Sequence, residues 1–363
     1  MKTATITYHN VYNYGALLQA YALQQAQLRM SVDNVIIDYN HETNKIYHKI
    51  KGKSLKIWIV NIIRWLEFVK DFFPIKSRCN NFENFSKNKL RLTSKYATFE
   101  ELKNNPPKVD WYIAGSDQIW NVSINFKNAF FLDFGDRNVK RASYAASMGS
   151  YEVPVQFRKE MCELLNRFDV ISVREAEAKI YIEDFLNKKG FVHINIDPVF
   201  LLSKEDWSEF AQPRKIGFKY ILCYPLAGHP LLNETLKKLK QLTNYRTVII
   251  STEVFTRVKG DINIKDASPE EFIYLLQNAE YVLTSSFHGT AFCTIFNKKF
   301  YSFVGNSVSS RITGLLNRLG LNDRIVRSPE DINTKEIDFT YCNTIISTEK
   351  DIAKEYLNSL FYK

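Results

Sequence analysis

The chain has 363 residues, 45% of them apolar, and a formal net charge of +10. That length exceeds what one hydrophobic core usually covers, so two well-packed domains of ordinary size are expected. Five scattered cysteines without a C-x-x-C pair exclude a disulfide framework or a zinc site as the organising principle, and they indicate a reducing compartment.

In chain order, the opening M-K-T-A-T-I-T-Y-H-N contains a strand at Thr3–Tyr8 and turns polar too soon to supply the apolar core of a signal peptide; a cytoplasmic protein is expected. His9, Asn10, Asn13 and Gly15 then lie between that strand and a helix. Amides and a glycine at such a turn suit a hydroxyl-rich ligand, while Asn13 equally suits a helix cap. A second strand covers Val32–Tyr39.

An insertion of different character follows at about 41–100. Between His41 and Glu100 there are 13 Lys or Arg against 5 Asp or Glu, which is most of the chain's positive charge. No helix-turn-helix, RNA-binding aromatic signature or zinc finger accompanies it, so no nucleic acid partner is expected; an acidic membrane surface or a phosphorylated, lipid-linked substrate fits at least as well. Within it, Lys53–Phe73 has Asn61, Arg64, Glu67 and Lys70 at helical spacing beside the apolar Ile57, Val60, Ile63, Trp65, Leu66 and Val69. It is too interrupted to span a bilayer. It suits a helix lying on a membrane, and also a helix packed on its own domain.

Strand candidates resume at Trp111–Ala114, Arg141–Ala146 and Val170–Val173, separated by helical patterns. The first ends in A-G-S-D-Q-I-W-N, exposing Ser116 and Asp117, an aspartate suited to a substrate hydroxyl or to a turn. The third ends in S-V-R-E. Arg174 there could grip a phosphate or carboxylate, or simply pair with Glu175 or Glu177. The polar stretch 204–219 reads as a linker between two Rossmann-like halves. Beyond it, strands are expected at Tyr220–Tyr224, Thr247–Ser251, Tyr281–Thr284 and Phe300–Val304.

The run Y-V-L-T-S-S-F-H-G-T-A-F aims His288 from the tip of the Tyr281–Thr284 strand. Ser285, Ser286, Gly289 and Thr290 surround it at the start of the next helix, where backbone N–H groups favour an anion and Gly289 permits close approach. A loop histidine bonded to its own backbone is the alternative. The alternation of strands and helices predicts an α/β fold with parallel sheets, in which four polar strand ends gather along one cleft. No Gly-rich phosphate loop, H-E-x-x-H pair or nucleophile elbow occurs, so kinase, zinc protease and hydrolase readings lack their parts. No acidic cluster has metal-ligand spacing, and no metal or cofactor is expected.

Together these segments resemble the polysaccharide pyruvyl transferase family. The matching pieces are H-N-V-Y-N-Y-G-A-L-L-Q-A-Y-A-L, A-G-S-D-Q-I-W-N, A-S-Y-A-A-S-M-G, S-V-R-E, D-P-V-F-L-L at 197–202, S-F-H-G-T-A-F, and S-R-I-T-G-L-L-N-R-L-G-L, in family order from residue 4 to about 325. The resemblance implies a two-domain architecture like that of GT-B glycosyltransferases. The domains expected are 1–203 on the acceptor side, 220–345 on the donor side and a C-terminal helix at 346–363. It also implies phosphoenolpyruvate as donor and a sugar of a surface polysaccharide, free or lipid-linked, as acceptor.

By position, the family's H-G histidine corresponds to His288 and an arginine of its S-V-R motif to Arg174. Many members carry an arginine two residues before the histidine, where this chain has Ser286; Arg311 is the expected replacement, because a multiply charged donor needs its cations. His288 is then the acid or base. Arg174 and Arg311, with Ser285, Ser286, Gly289 and Thr290, form the donor side, and Asn10, Asn13, Gly15, Ser116 and Asp117 the acceptor side. A glycosyltransferase of the same fold using a nucleotide sugar, or a non-catalytic homologue, are the competing expectations.

Overall fold

Short apolar strands alternating with capped helices build two Rossmann-like halves in the computed structural model, which describes residues 1–39, 54–122, 126–149, 153–226, 228–251, 258, 260–305 and 309–362. The N-terminal half runs β1 (Lys2–Ile6), α1 (Tyr14–Arg29), β2 (Asp33–Ile36), α2 (Leu55–Lys70), α3 (Phe72–Lys89), α4 (Phe99–Asn104), β3 (Trp111–Ala114), β4 (Lys140–Ser143), α5 (Val155–Leu165), β5 (Ile171–Val173), α6 (Ala176–Leu186) and β6 (Val192–Ile194). The C-terminal half follows as α7 (Lys204–Phe210), β7 (Tyr220–Tyr224), α8 (Leu232–Thr243), β8 (Arg246–Ile250), β9 (Ile262–Ile264), α9 (Pro269–Gln277), β10 (Tyr281–Thr284), α10 (Phe287–Ile295), β11 (Lys299–Ser302), α11 (Ser309–Arg318) and α12 (Thr340–Phe361).

All strand pairings among the described residues are parallel. The first sheet has the order β2-β1-β3-β4, and bridges from Ala142 and Ala146 to Val170 and Val173 attach the β5–β6 pair to its edge. The second has the order β11-β10-β7-β8-β9. Strand order therefore reverses beside β1 and β3 in one sheet and beside β7 and β10 in the other. Outside the carboxyl ends of strands at such switch points lie the crevices that hold ligands.

Helix α1 welds the halves together. Asn13 starts it in extended conformation and caps it by accepting from Ala16 N at 3.2 Å. Nearly all of its first three turns are buried. Tyr14 stacks on Phe272 of α9 (4.5 Å between centroids, 11° between planes), and its hydroxyl donates to Ala267 O at 2.8 Å. Leu17, Leu18, Leu222, Phe272 and Phe292 consequently belong to one apolar core shared by both halves. Arg78 and Asn81 of α3 add bonds to Ser251 O (2.8 Å) and Asp266 O (2.9 Å).

Three features depart from the sequence reading. β6 and β9 went unread because three residues are too few to show alternation. The presumed linker at 204–219 contains α7, opened by a Ser203–Asp206 capping box, whose Trp207 is fully buried and donates to Val199 O at 2.9 Å. The C-terminal helix expected from 346 begins at Thr340 and packs back onto the N-terminal half, where Tyr356 donates to Ser143 O at 2.7 Å. The basic insertion supplies α2 and α3, separated at Asp71; its residues 41–53 lie outside the described residues.

Candidate functional site

Asp197 is the centre of the site, and the sequence reading did not single it out. It follows β6 at the start of a short 3-10 turn, Pro198–Phe200, and its Oδ1 caps that turn by accepting from Val199 N at 3.1 Å. The backbone of the segment is pinned by Asn195 N donating to Val173 O at 3.0 Å. The other oxygen, Oδ2, meets three groups: Arg174 Nη1 at 2.5 Å, Ser116 Oγ at 3.4 Å and His288 Nε2 at 3.5 Å. Burial by itself would raise this carboxyl's pKa. Attraction to His288 and Arg174, with the Val199 amide, outweighs that and holds it well below the usual aspartate range.

Arg174 sits immediately after β5, as the sequence placed it, but its partners are buried. Besides Asp197 it donates from Nε to Glu175 Oε1 at 3.1 Å, an oxygen that also accepts from Ser147 Oγ at 2.7 Å. Its guanidinium lies over the Phe287 ring, 4.2 Å from the centroid. Burial opposes its charge, and Glu175, Asp197 and Asp117 together more than restore it, so the cation is permanent. Arg174 Nη2 and Glu175 Oε2 are buried without a hydrogen-bond partner among the described residues, the kind of vacancy that a bound polar molecule fills.

His288 comes from the other half, in the first turn of α10. Gly15 of α1 lies against it so closely that a Cβ on Gly15 would come 2.1 Å from His288 Nδ1 and 2.3 Å from Cγ. The imidazole is thus clasped between the start of α1 and the Asp197 carboxylate, with 6% of its surface exposed. Gly15→Ala follows as a test. Alanine ordinarily stabilises a helix relative to glycine by about 0.5–1 kcal/mol. Here it is expected to displace the ring and cost about 100-fold in turnover with the fold retained, checked by activity and a thermal melt together.

A cavity of about 430 Å³ opens beside this cluster, lined by Arg174, Glu175, Ala176, Glu177 and Phe287 and by Arg311, Gly314, Leu315, Asn317 and Arg318 of α11. Both halves contribute to it. With the Gln118 amide turned so that its oxygen faces the guanidinium, that oxygen accepts from Arg311 Nη2 at 3.0 Å and Nη1 at 3.2 Å, a second bond across the cleft. Arg318 pairs with Glu349 at 3.2 Å. Three arginines and two glutamates line the wall, with Arg174 and Arg318 already paired to carboxylates and Arg311 bonded to the neutral Gln118 amide.

The other residues singled out in the sequence have definite places. Ser286 caps α10, accepting from Gly289 N at 3.2 Å, which is a backbone task no arginine side chain could perform from that position. Ser285 Oγ accepts from Leu226 N at 3.1 Å. Thr290 is fully buried, donating to Ser286 O and sharing a 2.8 Å bond with Ser302 Oγ, and Gly289 packs against Thr284 and Tyr224. Ser116 holds Ala145 O (2.9 Å) as well as Asp197. Asp117 adopts the left-handed conformation (φ 68°), a costly state for an aspartate of the kind that gathers at functional sites.

Asn10 points elsewhere. It donates to Tyr39 O at 3.3 Å and lines a separate cavity of about 290 Å³ with His9, Tyr12, Asp38, Glu83, Lys87 and Lys95, which shares no residue with the arginine-lined one. His9 is a fully buried strut between Thr7 O (3.0 Å) and Asp38 Oδ1 (3.1 Å). Among the described residues no group of three His, Cys, Asp or Glu is arranged to hold a metal ion. Gln118, Glu175 and Asp197 were not assigned to the site from sequence. The only signal for Asp197 was its place in the D-P-V-F-L-L piece.

A family model described as polysaccharide pyruvyl transferase matches residues 13–307. No curated protein matches the sequence. Among solved structures, the chain is similar to the UDP-GlcNAc 2-epimerase from Methanocaldococcus jannaschii, with TM-score 0.56 and 13% identity over 100% of both chains. It is also similar to the UDP-GlcNAc 2-epimerase from Neisseria meningitidis bound to UDP-GlcNAc, with TM-score 0.50 and 12% identity over 99% of this chain and 100% of that one. At such identity the likeness shows the fold alone: two Rossmann-like domains in a GT-B-like arrangement.

Proposed function

The chain belongs to the polysaccharide pyruvyl transferase family, and on that premise we propose that it moves the enolpyruvyl group of phosphoenolpyruvate onto a sugar of a surface polysaccharide precursor, closing a pyruvate ketal and releasing phosphate. The observation that carries this reading is the meeting, across the cleft, of His288 with the buried Arg174–Asp197 pair beside an arginine-lined cavity.

A proton adds to the methylene carbon of phosphoenolpyruvate, making it a methyl group and the neighbouring carbon electrophilic. One sugar hydroxyl oxygen bonds to that carbon and gives up its proton. The carbon–oxygen bond to phosphate breaks, and a second sugar hydroxyl takes its place; its proton leaves with the phosphate. His288 delivers the first proton or accepts the hydroxyl's, a role for which imidazole is suited near neutral pH. Asp197 orients the ring. Arg174 and Arg311 hold the donor's phosphate and carboxylate, with Ser285, Ser286, Gly289 and Thr290 shaping the donor side. Asn13, Ser116 and Asp117 form the acceptor side, with Asp117 near enough to Arg174 to favour its charge, while Gly15 seats the His288 ring and Asn10 faces the separate cavity. No metal or cofactor enters the scheme, and the reaction is assigned to the cytoplasm as part of the same proposal.

Arg311 is the residue on which this reading differs from the family pattern, since Ser286 stands where many members have an arginine. The test is a thermal melt with phosphoenolpyruvate. At 100 times its dissociation constant the ligand is expected to stabilise the wild type by about 2.7 kcal/mol. Arg311→Ala is expected to weaken binding by about 1.5–3 kcal/mol, the worth of a bond to a charged group. Stabilisation by a nucleotide sugar, with none from phosphoenolpyruvate, would overturn the donor assignment.

A further inference from the structure

Helix α2 wears its apolar residues on the outside. Trp58, Ile62, Trp65, Leu66 and Val69 fall at i, i+4, i+7, i+8 and i+11, one continuous stripe, and all five are exposed: Trp58 by 62%, Trp65 by 51% and Leu66 by 55%. Ile57 and Phe68, on the side turned toward the protein, are only partly buried, and Phe68 packs beside Ile75 and Cys79 of α3. In a helix that serves its own core the apolar stripe faces inward. Here that arrangement is reversed, and Phe73, 80% exposed, prolongs the surface past the break at Asp71.

We propose that this surface docks the protein on an anionic lipid bilayer, with α2 lying in the plane of the headgroups. Two tryptophans on one stripe suit the water–lipid boundary, where their rings combine an apolar body with a polar edge. The stripe lies in the segment that carries 13 Lys or Arg against 5 Asp or Glu, and Lys70 and Lys76 are exposed at its end, so the charge complements acidic headgroups rather than another basic surface. Among the described residues no helix is long and apolar enough to cross a membrane, and the 16 residues of α2 are too few to span a bilayer and suit lying on it. The surface is not a loose appendage, because α3, which follows α2 directly after Asp71, is bonded to the C-terminal half through Arg78 and Asn81. The inference does not depend on the transfer chemistry.

The experiment is co-sedimentation of the full chain with vesicles of phosphatidylcholine alone and of phosphatidylcholine mixed with phosphatidylglycerol. The wild type is expected to pellet with the anionic vesicles at least about ten-fold more strongly than with the neutral ones, and added salt should weaken that binding. A Trp58→Glu, Trp65→Glu double variant should lose the binding while keeping the wild-type melting curve, since both side chains already face solvent. Lys70→Glu with Lys76→Glu should weaken it without abolishing it. Equal pelleting of wild type and the tryptophan variant would overturn the proposal. So would a wild type that is dimeric by sedimentation equilibrium where the tryptophan variant is monomeric, because a second copy would then cover the stripe.

Discussion

Replacing His288 with alanine is expected to reduce phosphate release from phosphoenolpyruvate by about 10²–10⁴-fold, the usual worth of a positioned acid or base. The binding of the donor should survive, because the cations proposed to hold it, Arg174 and Arg311, are fixed by other partners: Arg174 by Asp197, Glu175 and the Phe287 ring, Arg311 by Gln118. The combination is the informative part. A His288→Ala protein that still melts later with phosphoenolpyruvate, but no longer turns it over, separates the proton-transfer role from the anion grip. Turnover within a factor of about ten of the wild type would remove His288 from the mechanism.

Asp197→Ala should be the most damaging single change to the fold near the site, costing about 3–5 kcal/mol, because it leaves Arg174 as a buried charge with one carboxylate instead of two. Denaturant melts of wild type, Asp197→Ala and Asp197→Asn provide the measurement. The pH dependence has a definite sign. Because the folded-state pKa of Asp197 is depressed, its contribution is present above the ordinary aspartate value near 3.8 and is lost as pH falls toward the lower folded value. The stability gap between wild type and Asp197→Asn should therefore narrow as pH is lowered from about 5, and remain constant above it. A gap that widened on acidification would mean that the carboxylate is strained by its surroundings rather than held by them.

The sequence made the strands and the two-fold domain plan legible because apolar β-branched runs of four or five residues, such as Tyr281–Thr284, leave few alternatives once helical patterns follow them. It placed His288 and Arg174 at strand ends for the same reason. What it could not supply was convergence. Asp197 lies after a three-residue strand, beside a proline, and reads locally as the cap of a turn; only the tertiary fold brings its second oxygen to Arg174, Ser116 and His288. Gly15 looked like room for a ligand and is room for an imidazole instead. Ser286 looked like a missing cation, yet its hydroxyl caps α10 while Arg311 reaches the cavity from α11. In α2 the periodicity was plain but its direction was not: a stripe of tryptophan and aliphatic residues has the same spacing whether it faces the core or faces away.

The return of α12 to the N-terminal half also governs how the cleft can work. The chain crosses between the halves twice, once before α7 and once before α12, and Tyr356 is moored to Ser143 at the far end of the second crossing. These two tethers, with α1 and the Tyr14–Phe272 stack in the core that both halves share, bind the halves at several separate points. The spacing of His288 and Asp197 is therefore set by the packing of the whole molecule, and a change at Tyr356 or Tyr14, remote from the cavity, is expected to act on the site as well.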